Sequence, residues 1–177
     1  MRHLRWLLIP IVLVPIVLVL SYGFGRDPAE IPSQLIGKTL PSFRLVTLDG
    51  QTVTAEELRG KPVLINFWAS WCAPCVEEHA ILRQAQRRYG DRVTIVGILY
   101  QDTAGRARSF VARYGGDWPV LLDPGGTLAL DFGVTGPPES YFVDAAGIVR
   151  AKQFGPLTDA TLEARVSPLL ATARIDR

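Results

Sequence analysis

A chain of 177 residues, 48% hydrophobic and 20% charged, is long enough for one domain with its own core plus an appendage, and too apolar to stay disordered. Its net charge of +2 sits at one end: 19 basic residues less Arg2 and Arg5 leave 17, against 17 acidic ones. A neutral remainder gives no electrostatic case for nucleic acid, and two cysteines are too few for a disulfide-stapled miniature.

Residues 6–24 open the chain as an apolar run, without a charge from Trp6 to Phe24. At 1.5 Å per residue this is about 28 Å of helix, close to the hydrocarbon thickness of a bilayer. Pro10 and Pro15 would kink it, which membrane helices tolerate. Arg2 and Arg5 before the run, against Arg26 after it, favour a cytoplasmic N-terminus and an exported remainder. A cleaved signal peptide is the alternative; the run is long for one and has no A-x-A site. The expected layout is an anchor over 1–24, a proline-punctuated linker over 25–37 and a domain over 38–177.

Two strand-like segments, 43–46 and 51–53, flank Asp49-Gly50 and predict a hairpin. Thr54-Ala55-Glu56-Glu57 has the form of a capping box and predicts a short helix stopping at Gly60. Residues 62–68 read as a strand covered on both faces. Helical spacing of Cys75, His79, Leu82, Gln86 and Tyr89 predicts a helix ended by Gly90. A strand over 93–99 follows, then a helix capped by Asp102 or Thr103 and running to Tyr114, a short strand at 120–122 and a short helix over 126–132. An antiparallel pair, 140–143 and 148–152, turns about residues 144–147. The last helix is capped by Thr158 or Asp159 and limited by Pro168. Strand-helix-strand units followed by an antiparallel pair imply an α/β domain, a mixed sheet flanked by helices with an N-terminal hairpin extension. That order suits a thioredoxin-like fold.

The only cysteines, Cys72 and Cys75, stand where the central strand gives way to a helix. A thiol does nucleophilic work as thiolate, and unpaired N–H groups at a helix N-terminus favour an anion there. Cys72 is therefore the expected attacking residue, with Cys75 in reach to resolve a mixed disulfide. Pro74 suits a first turn that needs no N–H. A zinc site would need two further ligands, and the expected exported domain offers only His79. A purely structural bridge over so short a loop would constrain the unfolded chain little. No cofactor or metal is expected.

Asn66-Phe67-Trp68-Ala69-Ser70-Trp71-Cys72-Ala73-Pro74-Cys75 with Glu78-His79, and the segment Gly133-Val134-Thr135-Gly136-Pro137-Pro138-Glu139-Ser140, resemble the thioredoxin-like proteins of cytochrome c maturation, the DsbE/CcmG and ResA/TlpA group. The resemblance covers roughly residues 36–170. It implies a membrane-tethered oxidoreductase on the periplasmic side of the cytoplasmic membrane. Such a protein keeps the C-x-x-C-H cysteines of apocytochrome c reduced and is itself re-reduced by a membrane electron donor. A general extracytoplasmic reductase for other disulfide clients is the near alternative. A non-enzymatic copper or haem handler using Cys72, Cys75 and His79 belongs to another class, and a peroxidase lacks its motif.

By the same resemblance Pro138 is a cis-proline against the disulfide, the alternative being a trans proline in an ordinary turn. Pro137 before it departs from the pattern, because it has no N–H to offer an extended client. Asn66 stands where ordinary thioredoxins keep a buried aspartate, and an amide cannot take up a proton. Glu78 matches the family's acid one turn beyond Cys75 and would handle its proton or tune both thiol pKa values; a solvated acid near the helix start, as expected for Glu77, is the alternative. Glu139 resembles the acid of the proline loop. Trp71 is expected to shield the disulfide, His79 to be a packed histidine with one hydrogen bond, and Arg83, Arg87 and Arg88 to form a solvated face.

Overall fold

Val63–Trp68 (β3) is six residues long and every one is buried, because it has a sheet neighbour on each side and helices on both faces. In the computed structural model of the protein, residues 13–19, 21 and 33–175 are described, with side chains as far as 172. The chain divides into two compact units, Met1–Ile31 and Pro32–Arg177. In the first, residues 13–19 and 21 are helical. Among the described residues no helix is long and apolar enough to cross a membrane, and most of the expected span over 6–24 lies outside them.

The second unit is a seven-stranded mixed sheet. In chain order come β1 (Arg44–Thr47), β2 (Thr52–Thr54), β3, helix α1 (Ala73–Tyr89), β4 (Thr94–Leu99), α2 (Ala104–Tyr114), β5 (Val120–Leu122), α3 (Thr127–Phe132), β6 (Glu139–Val143), β7 (Val149–Phe154) and α4 (Asp159–Ile175). Spatially the strands run β2-β1-β5-β4-β3-β6-β7. The β3·β4 and β4·β5 pairs are parallel and the others antiparallel, a mixed sheet as the order of predicted elements implies. The N-terminal hairpin does not stand apart: Val46 and Thr47 pair with Leu122 and Leu121, so it extends the sheet beyond β5.

The period of two along β3 builds two cores. Val63, Ile65 and Phe67 face Leu128, Ala129 and Phe132 of α3. Leu64 faces Leu82 and Ala85 of α1 and Leu162, Val166 and Leu169 of α4. Trp68 joins Cys72, Cys75, Ala107 and Phe110 in a third cluster, which brings α2 onto the dithiol side of the sheet. Each fully buried large side chain contributes roughly 1.5–3 kcal/mol. Gly97 sits inside β4 for want of space: a Cβ there would lie 2.8 Å from Trp68 Nε1 and 3.3 Å from Trp118 Nε1. Gly90 closes α1 at φ +50°, its N–H donating to Gln86 O.

Three expectations need correcting. The capping box at Thr54 forms, with Thr54 N–H donating to Glu57 Oε2 (2.9 Å) and Glu57 N–H to Thr54 Oγ1 (3.4 Å). Yet residues 55–60 are turns, since a segment so short gains too little from propagation to offset helix nucleation. Pro168 does not limit the last helix, which runs to Ile175 with the proline inside it. Burial of Leu162, Val166 and Leu169, one helical stripe, outweighs the lost hydrogen bond. The end of the expected linker also belongs to the folded unit, for Gly37 N–H donates to Val149 O and Leu40 N–H to Gly147 O, both at 2.8 Å.

Candidate active site

The dithiol is where β3 has run out of sheet and α1 begins. Cys72 is the N-cap of α1, in extended backbone, and its Sγ accepts the Cys75 N–H at 3.2 Å. The two form a disulfide with Cα atoms 5.3 Å apart. Cys72 is 4% exposed and Cys75 2%, whereas Trp71 beside them is 53% exposed. Trp71 is anchored rather than loose, donating from Nε1 to Gln101 O at 3.2 Å. Gln101 holds φ +45°, a left-handed conformation that costs a non-glycine residue energy and aims this carbonyl.

Glu78 is 1% exposed, so it is not a solvated acid; Glu77 is the exposed one. Its Oε1 accepts from Asn66 Nδ2 (2.8 Å) and its Oε2 from Leu157 N–H (2.9 Å). Asn66 Nδ2 also donates to Ser140 Oγ at 3.0 Å, tying β3 to β6 beneath the dithiol. Burial raises the Glu78 pKa from 4.5 to about 7, against the lowering effect of these hydrogen bonds. Asn66, Trp68, Cys75 and His79 are among the residues lining a small cavity of about 10 Å³, about the space one water needs. Trp68 Nε1 is buried with no partner among the described residues.

His79 packs edge-on against Phe110, with ring centroids 5.0 Å apart, and places Nε2 2.7 Å from Gly115 O. Burial lowers its pKa, so the neutral ring is favoured. Arg83 donates to Tyr114 O at 3.1 Å and Arg88 pairs with Glu163, so two of the three arginines tie α1 to its neighbours instead of facing only solvent.

The second motif comes to the same end of the sheet. Because β6 runs antiparallel to β3, Glu139 pairs with Phe67, and Pro138 stands where β3 leads into Cys72. The Pro137–Pro138 peptide is cis, as the resemblance implied. Glu139, the acid of the proline loop by the resemblance, lies on the opposite face of the sheet from Glu78. Ser140 faces Asn66, while Glu139 turns with Tyr141 towards Phe132. Its Oε1 accepts from Thr135 N–H (2.9 Å) and Thr135 Oγ1 (2.7 Å), and Oε2 pairs with Lys152 Nζ at 2.7 Å.

Sequence reading missed Asp102, Gln101, Ser140 and Lys152. Asp102 looked like a helix cap; Thr103 takes that role, accepting from Arg106 N–H. Asp102 instead receives Ser70 N–H (2.7 Å) and Thr103 N–H (2.7 Å), fixing the segment that leads into Cys72. Burial raises its pKa, but those hydrogen bonds outweigh it and hold the carboxyl below its usual range. The signal, an acid after a parallel strand, is shared by many plain caps.

Comparison with known proteins agrees with this geometry. The Redoxin family model matches residues 35–166. The thiol:disulfide interchange protein DsbE of Pseudomonas fluorescens biotype C is 40% identical over 159 residues, 88% of each chain. The thiol:disulfide interchange protein HelX of Rhodobacter capsulatus is 38% identical over 172 residues, covering 92% of this chain and 96% of that one. A crystal structure described as a putative thiol:disulfide interchange protein DsbE from Chlorobium tepidum superposes with a TM-score of 0.71 at 29% identity, over 76% of this chain and 97% of that one. The chain belongs to the redoxin family, in the group of DsbE-type thiol:disulfide interchange proteins, and it is a thiol–disulfide oxidoreductase.

Proposed function

We propose that the protein is a membrane-anchored reductant of the extracytoplasmic space that reduces the C-x-x-C-H cysteines of apocytochrome c before haem attachment. The observation that carries the exchange chemistry is the buried Glu78, hydrogen-bonded to Asn66 beneath a dithiol whose attacking sulfur caps a helix. The reducing direction follows from the resemblance of both motifs to the cytochrome c maturation group. In the reduced protein the Cys72 thiolate is held by the first-turn N–H groups. It attacks one sulfur of the client disulfide, and the other leaves as a thiolate that takes up a proton. Cys75 passes its proton to the Glu78 carboxylate and attacks Cys72 Sγ. The second client sulfur departs, the client holds both electrons, and Cys72–Cys75 is left oxidised for a membrane electron donor to reduce. With a pKa of about 7, Glu78 is ionised often enough to accept that proton and protonated often enough to return it. Asn66 positions the acid, Trp71 flanks the disulfide, and the Pro138 loop receives the client strand.

The apolar run over residues 6–24 supports anchoring and the arginines before it support an exported domain. The names of the relatives support disulfide exchange, and the resemblance of both motifs supports cytochrome c maturation over a general reductase. A copper or haem handler fits less well, because His79 Nε2 is engaged by Gly115 O. The test offers the reduced protein an oxidised C-x-x-C-H peptide and measures the Cys72–Cys75 potential. Peptide reduction with a potential well below DsbA's about −120 mV is expected. A potential near DsbA's, with oxidation of the dithiol peptide, would overturn the assignment.

A further inference from the structure

We propose that Lys152 is a positioning residue for the exchange reaction, fixing through Glu139 the loop that precedes Pro138. This rests on the reading that the Pro138 loop receives the client. Lys152 lies on β7, on the far side of β6 from the cysteines, with no place in the cysteine motif or the proline-loop motif. Its side chain is 3% exposed, although its backbone on the edge strand leaves the residue as a whole half-buried. Nζ lies 2.7 Å from Glu139 Oε2 and donates to Gly133 O at 3.1 Å, so one ammonium holds both ends of the loop 133–139. The other carboxylate oxygen accepts from Thr135 N–H and Oγ1, and more weakly from Gly136 N–H at 3.4 Å, which holds the middle. The ammonium is further confined over the rings of Phe154 (4.0 Å) and Tyr141 (5.0 Å). A carboxylate buried to this degree needs its cation, and removing the cation frees the Gly133 end of the loop and leaves Glu139, which holds the middle, as an uncompensated buried charge. The cysteines, Asn66 and Glu78 are on the other face of the sheet and keep their own contacts.

The split between faces makes the proposal testable. Full-length Lys152→Met, Lys152→Arg and Thr135→Val proteins in detergent are reduced and assayed on the oxidised C-x-x-C-H peptide and, in parallel, on insulin. For Lys152→Met, KM rises about tenfold or more, a loosened loop being able to misplace the client by a fraction of an ångström. The Cys72–Cys75 potential is unchanged, and arginine restores most of the loss. Thr135 is exposed, so Thr135→Val folds, and KM rises about threefold with the loss of one hydrogen bond. If Lys152→Met fails to fold, Thr135→Val decides alone. Unchanged KM in the folded variants, or a shifted potential that accounts for the loss, overturns the proposal. Reduction of insulin but not of the peptide by the wild type sinks the cytochrome reading, while the Lys152 claim is still read on insulin.

Discussion

Glu78 has a cost to the folded state that its usefulness explains. Its pKa is about 7 in the native protein against 4.5 in a solvated chain. Between these values the native state holds the proton more tightly, so stability falls as pH rises from 4.5 to 7 and levels off above. The loss is on the order of 3 kcal/mol. Glu78→Gln should remove it: the difference in urea-unfolding free energy between variant and wild type grows in the variant's favour across that window. A constant difference would show that Glu78 does not titrate there. The same substitution should abolish a pH dependence near 7 in the resolving step. Pro137 is the other telling residue. It offers a client no N–H, so Pro137→Thr should lower KM by about three- to tenfold, the worth of one hydrogen bond. Unchanged or higher KM in a folded variant would mean that the client does not pair with this backbone. The sequence singled out Cys72 and Cys75 by their spacing at a helix start, and Glu78 and Pro138 by the resemblance of their motifs. It could not separate Glu78 from Glu139, because the face that Glu139 occupies depends on the β3–β6 register, in which Asn66 meets Ser140 and Phe67 meets Glu139. Lys152 and Asp102 were illegible for a similar reason, since Glu139 and Ser70, the partners that give them their roles, are distant in the chain.

At the level of elements, β3, α1, β4 and α2 were readable because apolar periodicity, caps and terminal glycines agree there. The failures lie where a local signal met a tertiary one. The box at Thr54 makes its hydrogen bonds, but turns follow. Pro168 is a helix breaker by propensity, yet α4 continues through it because the sheet offers Val166 and Leu169 a place to bury. Pro168→Ala restores an N–H opposite the Ala164 carbonyl and should raise stability by about 1–3 kcal/mol. A drop in Tm would mean that the proline sets a bend α4 requires. Gly97→Ala should destabilise, since Trp68 and Trp118 cannot both retreat from the new methyl group. Its effect should reach the dithiol, because Trp68 packs in the same cluster as Cys72 and Cys75.

For the molecule as a whole, the sheet works as a divider. One face carries the redox chemistry, with the disulfide, Asn66, Glu78 and helices α1 and α2. The other carries the carboxylate–ammonium pair that fixes the proline loop, and the two meet at the end of β3. The proposed anchor adds a location: full-length protein should sediment with membranes and resist carbonate extraction, whereas release by carbonate would favour a cleaved leader. All of this hangs on the division of labour between the two sulfurs, which trapping tests directly. Cys75→Ser protein, incubated with an oxidised C-x-x-C-H peptide, should accumulate a mixed disulfide on Cys72, and Cys72→Ser should accumulate none. No adduct with Cys75→Ser, or an adduct on Cys75 in the Cys72→Ser protein, would contradict the account.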